Sequence, residues 1–141
     1  MNLKLLRDEL ILDEGLRHRL YKCSAGKMTI GIGYNIEEHG LPSSIIEELF
    51  EKSVADARTD LDRALPWWTS QPEQVQRGML NMVFNLGIGR FLKFERMIGA
   101  LGSGAYTLAA TEALDSKWAR QVGERAERIA KLFRNANLKG D

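Results

Sequence analysis

A chain of 141 residues, 44% of them hydrophobic, is long enough to bury one sizeable core and lies in the usual range of a single domain. Its 20 Lys and Arg against 19 Asp and Glu leave a net charge of +1, which gives no basis for a strong pull towards nucleic acid or a membrane surface. The single cysteine, Cys23, excludes an intramolecular disulfide, so the fold rests on packing alone, as in a protein folding in a reducing compartment.

Leu3, Leu6 and Leu10 recur at i, i+3 and i+7, which predicts a short amphipathic helix over residues 3 to 13, stopped by Gly15. Glu14 falls at the next position of that stripe. Residues 16 to 22 alternate, with Leu16, His18 and Leu20 on one face and Arg17, Arg19 and Tyr21 on the other, and read as a strand. Cys23-Ser-Ala-Gly26-Lys is a turn. Met28 to Asn35 alternates again, with Met28, Ile30, Ile32 and Tyr34 on one face and Thr29, Gly31, Gly33 and Asn35 on the other. A β-hairpin follows, and its second face is nearly bare, so that a ligand could approach the backbone beside the Thr29 hydroxyl.

After a Gly40-Leu-Pro42 break, Ser44 and Glu47 form a capping-box pattern, and Ile46, Leu49, Phe50, Val54, Ala57, Leu61 and Leu65 keep helical spacing over roughly residues 43 to 65. Pro66-Trp67-Trp68 interrupts, and Ser70-Gln-Pro72-Glu73 starts a second helix whose stripe is Val75, Met79, Met82, Val83 and Leu86, ended by Gly87. Segments of about 91 to 101, 105 to 117 and 123 to 135 have helical composition, separated by Gly102, Gly104 and Gly123. The expected fold is α+β and predominantly helical: one domain over 1–141, with a hairpin lobe of about 14–42 joined by a long helix to a helical lobe of about 66–141 that includes the N-terminal helix. A groove between such lobes is a natural binding site.

Cleaving a glycosidic bond needs a carboxylic acid that is still protonated, plus a second group that activates or positions water or stabilises charge. Glu14 suits the first role: the helix macrodipole disfavours negative charge at a carboxyl end, Asp13 is adjacent, and the apolar stripe continues through it. On position alone, a solvated helix-end glutamate remains the stronger reading. The ordered set changes that: Glu14, eight residues, Cys23, five residues, then Thr29 opening a Thr-Ile-Gly-Ile-Gly-Tyr strand.

The segment from Glu14-Gly15 to Gly33 resembles the active-site stretch of phage-type lysozymes, whose triad is a Glu, then an Asp or Cys, then a Thr at this spacing. The resemblance continues at Asn81-Met-Val-Phe-Asn-Leu-Gly87 and Arg125-Ala-Glu-Arg128-Ile. It implies a lysozyme-like fold and a muramidase cutting the β-1,4 bond between N-acetylmuramic acid and N-acetylglucosamine in peptidoglycan. By the same match Glu14 protonates the leaving oxygen, Cys23 takes the basic or electrostatic position and Thr29 holds the attacking water. Arg125 matches the arginine that pairs with the catalytic Glu. Phe84 and Asn85 match positions lining the sugar groove, with Tyr21 and Asn35 assigned to the same wall. Two residues depart from the pattern: Tyr34 stands where a His often follows the Gly-x-Gly, and Glu124 stands where an Asn is common.

Other features read as structure. Trp67, Trp68 and Trp118 could stack on sugars, but their places favour packing. His18 and His39 are too far apart to suggest a metal site, so no metal or cofactor is expected. Nor are a nucleic-acid partner or stable membrane insertion. The basic run from Arg120 to Arg134, interleaved with Glu124 and Glu127, reads as a solvated helix face that could attract an anionic cell wall. The first ten residues contain acidic side chains and no run suited to a signal peptide. A monomer made in a host cytoplasm and released to the periplasm by a phage-encoded holin is therefore expected. Two other readings stay open: a lytic transglycosylase, and an inactive wall-binding protein that kept the groove.

Overall fold

The computed structural model describes the backbone of residues 1–138 and the side chains of residues 1–136; the end of the helical lobe expected to reach residue 141 lies outside the described residues. The fold is α+β and predominantly helical, with one two-stranded antiparallel sheet among the described residues. The chain divides into two compact units, Met1–Leu49 and Phe50 onward, with the division falling inside its longest helix.

In the first unit, α1 (Leu3–Glu14) starts on Asn2, whose side chain accepts from the Leu5 amide at 3.0 Å, and stops where Gly15 bonds back to the Ile11 carbonyl at 2.7 Å. Strands β1 (Arg17–Lys22) and β2 (Met28–Gly31) pair with Tyr21 opposite Thr29 and Lys22 opposite Met28, and the register shifts between Arg17 and Tyr21. Tyr21 is the least exposed residue of β1, so its face is the packed one and the leucine face is not. The tip is closed by Cys23 donating to the Lys27 carbonyl at 2.9 Å and Gly26 donating to the Cys23 carbonyl at 2.8 Å.

The alternation from Met28 to Asn35 does not become one strand. β2 stops at Gly31, and the chain turns back so that Ile30 and Tyr34 exchange both backbone hydrogen bonds, at 2.9 and 3.0 Å. Gly31 and Gly33 adopt φ of +69° and +67°, which a residue with a Cβ rarely tolerates, so the glycines that made one face look bare are there to reverse the chain. A short helix, α2 (Ile36–His39), follows. Asn35 caps it by accepting from the Glu38 amide at 3.1 Å, and Glu37 reaches the Met28 amide at 3.1 Å. Lys27 lies 3.6 Å from Glu37 and 3.5 Å from Glu38, so α2 is latched to the hairpin. The long helix α3 (Ser43–Ala64) begins one residue before the expected Ser44 cap, with the Pro42 carbonyl accepting from Ile45 and Ile46.

In the second unit, α3 ends before the 3-10 turn Pro66–Ser70, and α4 (Glu73–Leu86), α5 (Ile88–Phe91), α6 (Glu95–Gly102), α7 (Tyr106–Leu114), α8 (Lys117–Val122) and α9 (Glu124–Leu138) follow. The helix expected over 105 to 117 ends at Leu114, and α8 occupies the stretch before Gly123 where no helix was expected. Ser116 separates them and caps α8 by accepting from the Ala119 amide at 3.0 Å. The core gathers Leu61, Trp68, Val75, Met79, Met82, Phe91, Met97, Leu101, Ile129 and Phe133, all essentially without exposure. Trp68 fills it while its indole N–H meets Asp62 at 2.7 Å, so a polar group is not buried unpaired. Ala109, Ala110 and Ala113 of α7 and Ala126 and Ala130 of α9 are buried too, and such small side chains let those two helices approach closely.

Helix α4 also carries a glycine in its interior for a packing reason. A Cβ on Gly78 would stand 2.6 Å from Cε1 and 3.2 Å from Cζ of Phe133, a ring with no exposure. Alanine is the better helix former by about 0.8–1.0 kcal/mol, but overpacking a core costs about 1–3 kcal/mol. Gly78→Ala is therefore expected to lower the Tm in thermal unfolding. A raised Tm would show that the ring gives way freely.

Candidate active site

The residues singled out from the sequence divide between the units: Glu14, Tyr21, Cys23, Thr29 and Asn35 belong to the first, and Phe84, Asn85 and Arg125 to the second. Glu14 is the last residue of α1 and is exposed, so the apolar stripe does not bury it. Its side chain is nonetheless placed. Cγ, Cδ and Oε2 lie 2.9 to 3.0 Å from where a Cβ on Gly33 would be. The Tyr21 hydroxyl donates to the Glu14 backbone carbonyl at 3.5 Å, and Arg17 stacks over the Tyr21 ring at 4.8 Å.

Cys23 and Thr29 are brought together at the hairpin. The amides of Lys27 and Ala25, followed by the Thr29 hydroxyl, hydrogen-bond the Cys23 sulfur and hold its thiol below its ordinary value, against an opposing cost of desolvation. Thr29 is 2% exposed and is the buried polar residue among the described residues. Its hydroxyl donates to the Lys27 carbonyl at 2.8 Å. That single proton serves either the Lys27 carbonyl or the Cys23 sulfur, and in both cases lone pairs are left to accept from water or another donor. Asn35, expected on the sugar-binding wall, spends its side-chain oxygen capping α2.

In the second unit, Arg125 reaches from α9 to α4, with Nε on the Asn81 side-chain oxygen at 2.9 Å and a terminal nitrogen on the Asn81 carbonyl at 3.3 Å. Asn81, Phe84 and Arg125 line an open concavity of about 620 Å³ together with apolar residues that include Leu80 and Val54. Phe84 is 52% exposed. Asn85 is oriented by Trp118, whose indole N–H donates to its side-chain oxygen at 2.8 Å, leaving the amide N–H groups free to face outward. Trp118 itself is buried, edge-on to Phe94 with centroids 5.9 Å apart. The packing role expected for the tryptophans is the one Trp68 and Trp118 fill.

Sequence reasoning passed over Asn81, Trp118 and Gly33 as contributors. Asn81 was findable: it stands one helical turn before Asn85, at i and i+4 on one face of α4, with Phe84 beside both. Trp118 and Gly33 gave no such signal, because their partners are distant in sequence or on another element.

Three relatives and one family model bear on these residues. The chain is 31% identical to the pre-baseplate central spike protein Gp5 of Enterobacteria phage T4, over 89% of this chain but 27% of that protein. It is 26% identical to probable T4-type lysozymes 2 and 1 of Dictyostelium discoideum, over 95% and 94% of this chain and 96% and 95% of theirs. The phage lysozyme family model matches residues 12–136, a span that takes in Glu14, the hairpin, α4 and Arg125, and the chain belongs to the phage lysozyme family.

Proposed function

We propose that this protein is a muramidase that hydrolyses the β-1,4 bond between N-acetylmuramic acid and N-acetylglucosamine in peptidoglycan glycan strands. The reading is supported most by the meeting of Cys23 and Thr29 on the hairpin, where amide donors lower the thiol, in the unit where α1 ends on Glu14. Glu14 serves as general acid to the leaving oxygen. Cys23, whose thiolate is favoured by amide donors, takes the second catalytic position, and Thr29 offers acceptor lone pairs to the attacking water. Phe84, Asn85, Tyr21 and Asn35 contact the sugars, and Arg125 serves the substrate-binding side. Direct attack by water inverts the anomeric carbon and calls for catalytic groups roughly 6.5–9.5 Å apart.

In this reading the protein is a monomeric endolysin that needs no metal or cofactor. It reaches the periplasmic wall by holin-mediated release and lyses the host cell. Among the described residues no helix is long and apolar enough to cross a membrane.

Mass spectrometry of digested peptidoglycan tests the bond and the chemistry together. Hydrolysis yields fragments heavier by one water than a lytic transglycosylase would leave, with reducing N-acetylmuramic acid ends. Anhydro ends would overturn the water-attack mechanism, and N-acetylglucosamine ends would overturn the bond assignment.

A further inference from the structure

We propose that Gly33 is a positioning residue for the Glu14 carboxyl, acting through the side chain it lacks. The proposal rests on Glu14 being the general acid. Its geometry stands apart from that reading: a Cβ at Gly33 would lie 2.9 Å from Glu14 Cγ and 3.0 Å from both Cδ and Oε2. Real Cβ atoms essentially never approach a heavy atom as closely as the 2.9 Å to Cγ, and the 3.0 Å contacts are tighter than most, so a side chain there must shift the Glu14 side chain and its carboxyl. The face that looks open to a ligand in the sequence is, at this position, the seat of the protein's own acid.

Gly33 cannot withdraw to make room. It sits in a turn closed by the paired backbone bonds of Ile30 and Tyr34. Beyond the turn, the Tyr34 hydroxyl donates to the Gly40 carbonyl at 2.5 Å while its ring meets His39 at 6.0 Å, fixing the turn to the end of α2. The Glu14 side chain, by contrast, hangs from a helix end and has three rotatable bonds. A methyl at Gly33 therefore moves the acid and leaves the fold in place.

The left-handed φ of Gly33 would by itself strain an alanine, so the control must carry the same strain without the contact. Gly104, between α6 and α7, has φ of +79°, and a Cβ there meets nothing within 4 Å. Gly33→Ala and Gly104→Ala are expected to lose comparable Tm. Only Gly33→Ala is expected to lower kcat on soluble glycan strands, by about 10²-fold as for a catalytic group misplaced by an ångström, with KM unchanged. Gly33→Asn repeats the test with a residue that tolerates the left-handed region, should the alanine variant fold poorly.

A second readout does not need activity. In protein with isotope-labelled glutamate side chains, the Glu14 carboxyl resonance, assigned by its loss in Glu14→Gln, is expected to move in Gly33→Ala and Gly33→Asn and to stay put in Gly104→Ala. An unmoved resonance overturns the placement whatever the activity. An unchanged kcat, a loss confined to KM, or an equal kcat loss in Gly104→Ala overturns the positioning role. A moved resonance in a protein whose wild type releases no reducing ends upholds the placement and sinks Glu14 as the acid instead.

Discussion

Glu14→Gln is expected to abolish lysis of permeabilised Gram-negative cells, with kcat on glycan strands falling by about 10²–10⁴-fold, the usual contribution of a general acid. The substitution is chosen because it changes little else. Glutamine has the same shape, so it occupies the same seat against Gly33, and the Gly15 bond to the Ile11 carbonyl that ends α1 is untouched. The amide cannot release a proton to a leaving oxygen. Glu14 is exposed at the end of α1, so no buried contact is lost and the Tm should hold. Loss of activity without loss of stability is the signature of an acid; turbidity falling equally fast for wild type and variant would remove Glu14 from its role.

The parts of this fold that were legible in sequence are those in which a periodic apolar stripe meets a strong stop. The helix stopped at Gly15, the long helix bounded by Pro42 and Pro66, and the helix from Glu73 to Gly87 all stand within a residue or two of where spacing put them. What pattern could not reveal is direction. From Met28 to Asn35 the apolar residues alternate as a strand would, yet two left-handed glycines turn the chain back at Gly31, and α2 is too short to show any helical period. Periodicity reports which side chains share an environment; it does not report whether the backbone between them runs straight.

The same limit shaped the reading of the site. Spacing picked out Glu14, Cys23 and Thr29, and the hairpin register explains why two of them meet. Thr29 pairs across from Tyr21 and faces inward, and the turn brings the Cys23 sulfur back to it and to the amides of Ala25 and Lys27. None of the amide donors could be read from residue types, since every residue but proline carries one. Gly33 was legible as a bare position but not as an occupied one. Arg125 was legible as a charge, while its hold on Asn81 depends on α9 lying along α4.

Cys23→Ser and Cys23→Asp should separate sharply. A thiolate accepts a proton where a serine hydroxyl cannot ionise, so Cys23→Ser is expected to lose about 10²-fold in kcat at every pH, the lower range for removing an acid or base. Cys23→Asp is expected to stay active, because the donors that favour the thiolate, the Lys27 amide first, then the Ala25 amide and the Thr29 hydroxyl, are equally suited to a carboxylate. The pH dependence gives the sharper test. If the thiolate is the working form, the wild-type rate falls as pH drops through the Cys23 titration, which lies below that of an ordinary thiol. Aspartate stays ionised down to roughly pH 3.9, so Cys23→Asp should retain its rate on the acid side where wild type declines. Alkylation by iodoacetamide locates the titration directly, and Thr29→Val, which deletes one donor, should move its midpoint up. Linkage fixes the sign for stability as well. A thiol lowered by folding adds stability that is fully present above its unfolded value and is lost as pH falls through its folded value. The stability of wild type relative to Cys23→Ser should therefore grow as pH rises through that window. Cys23→Ser lysing cells like wild type across the whole range would reduce the sulfur to a packing atom, and would leave Glu14 without the partner assigned to it.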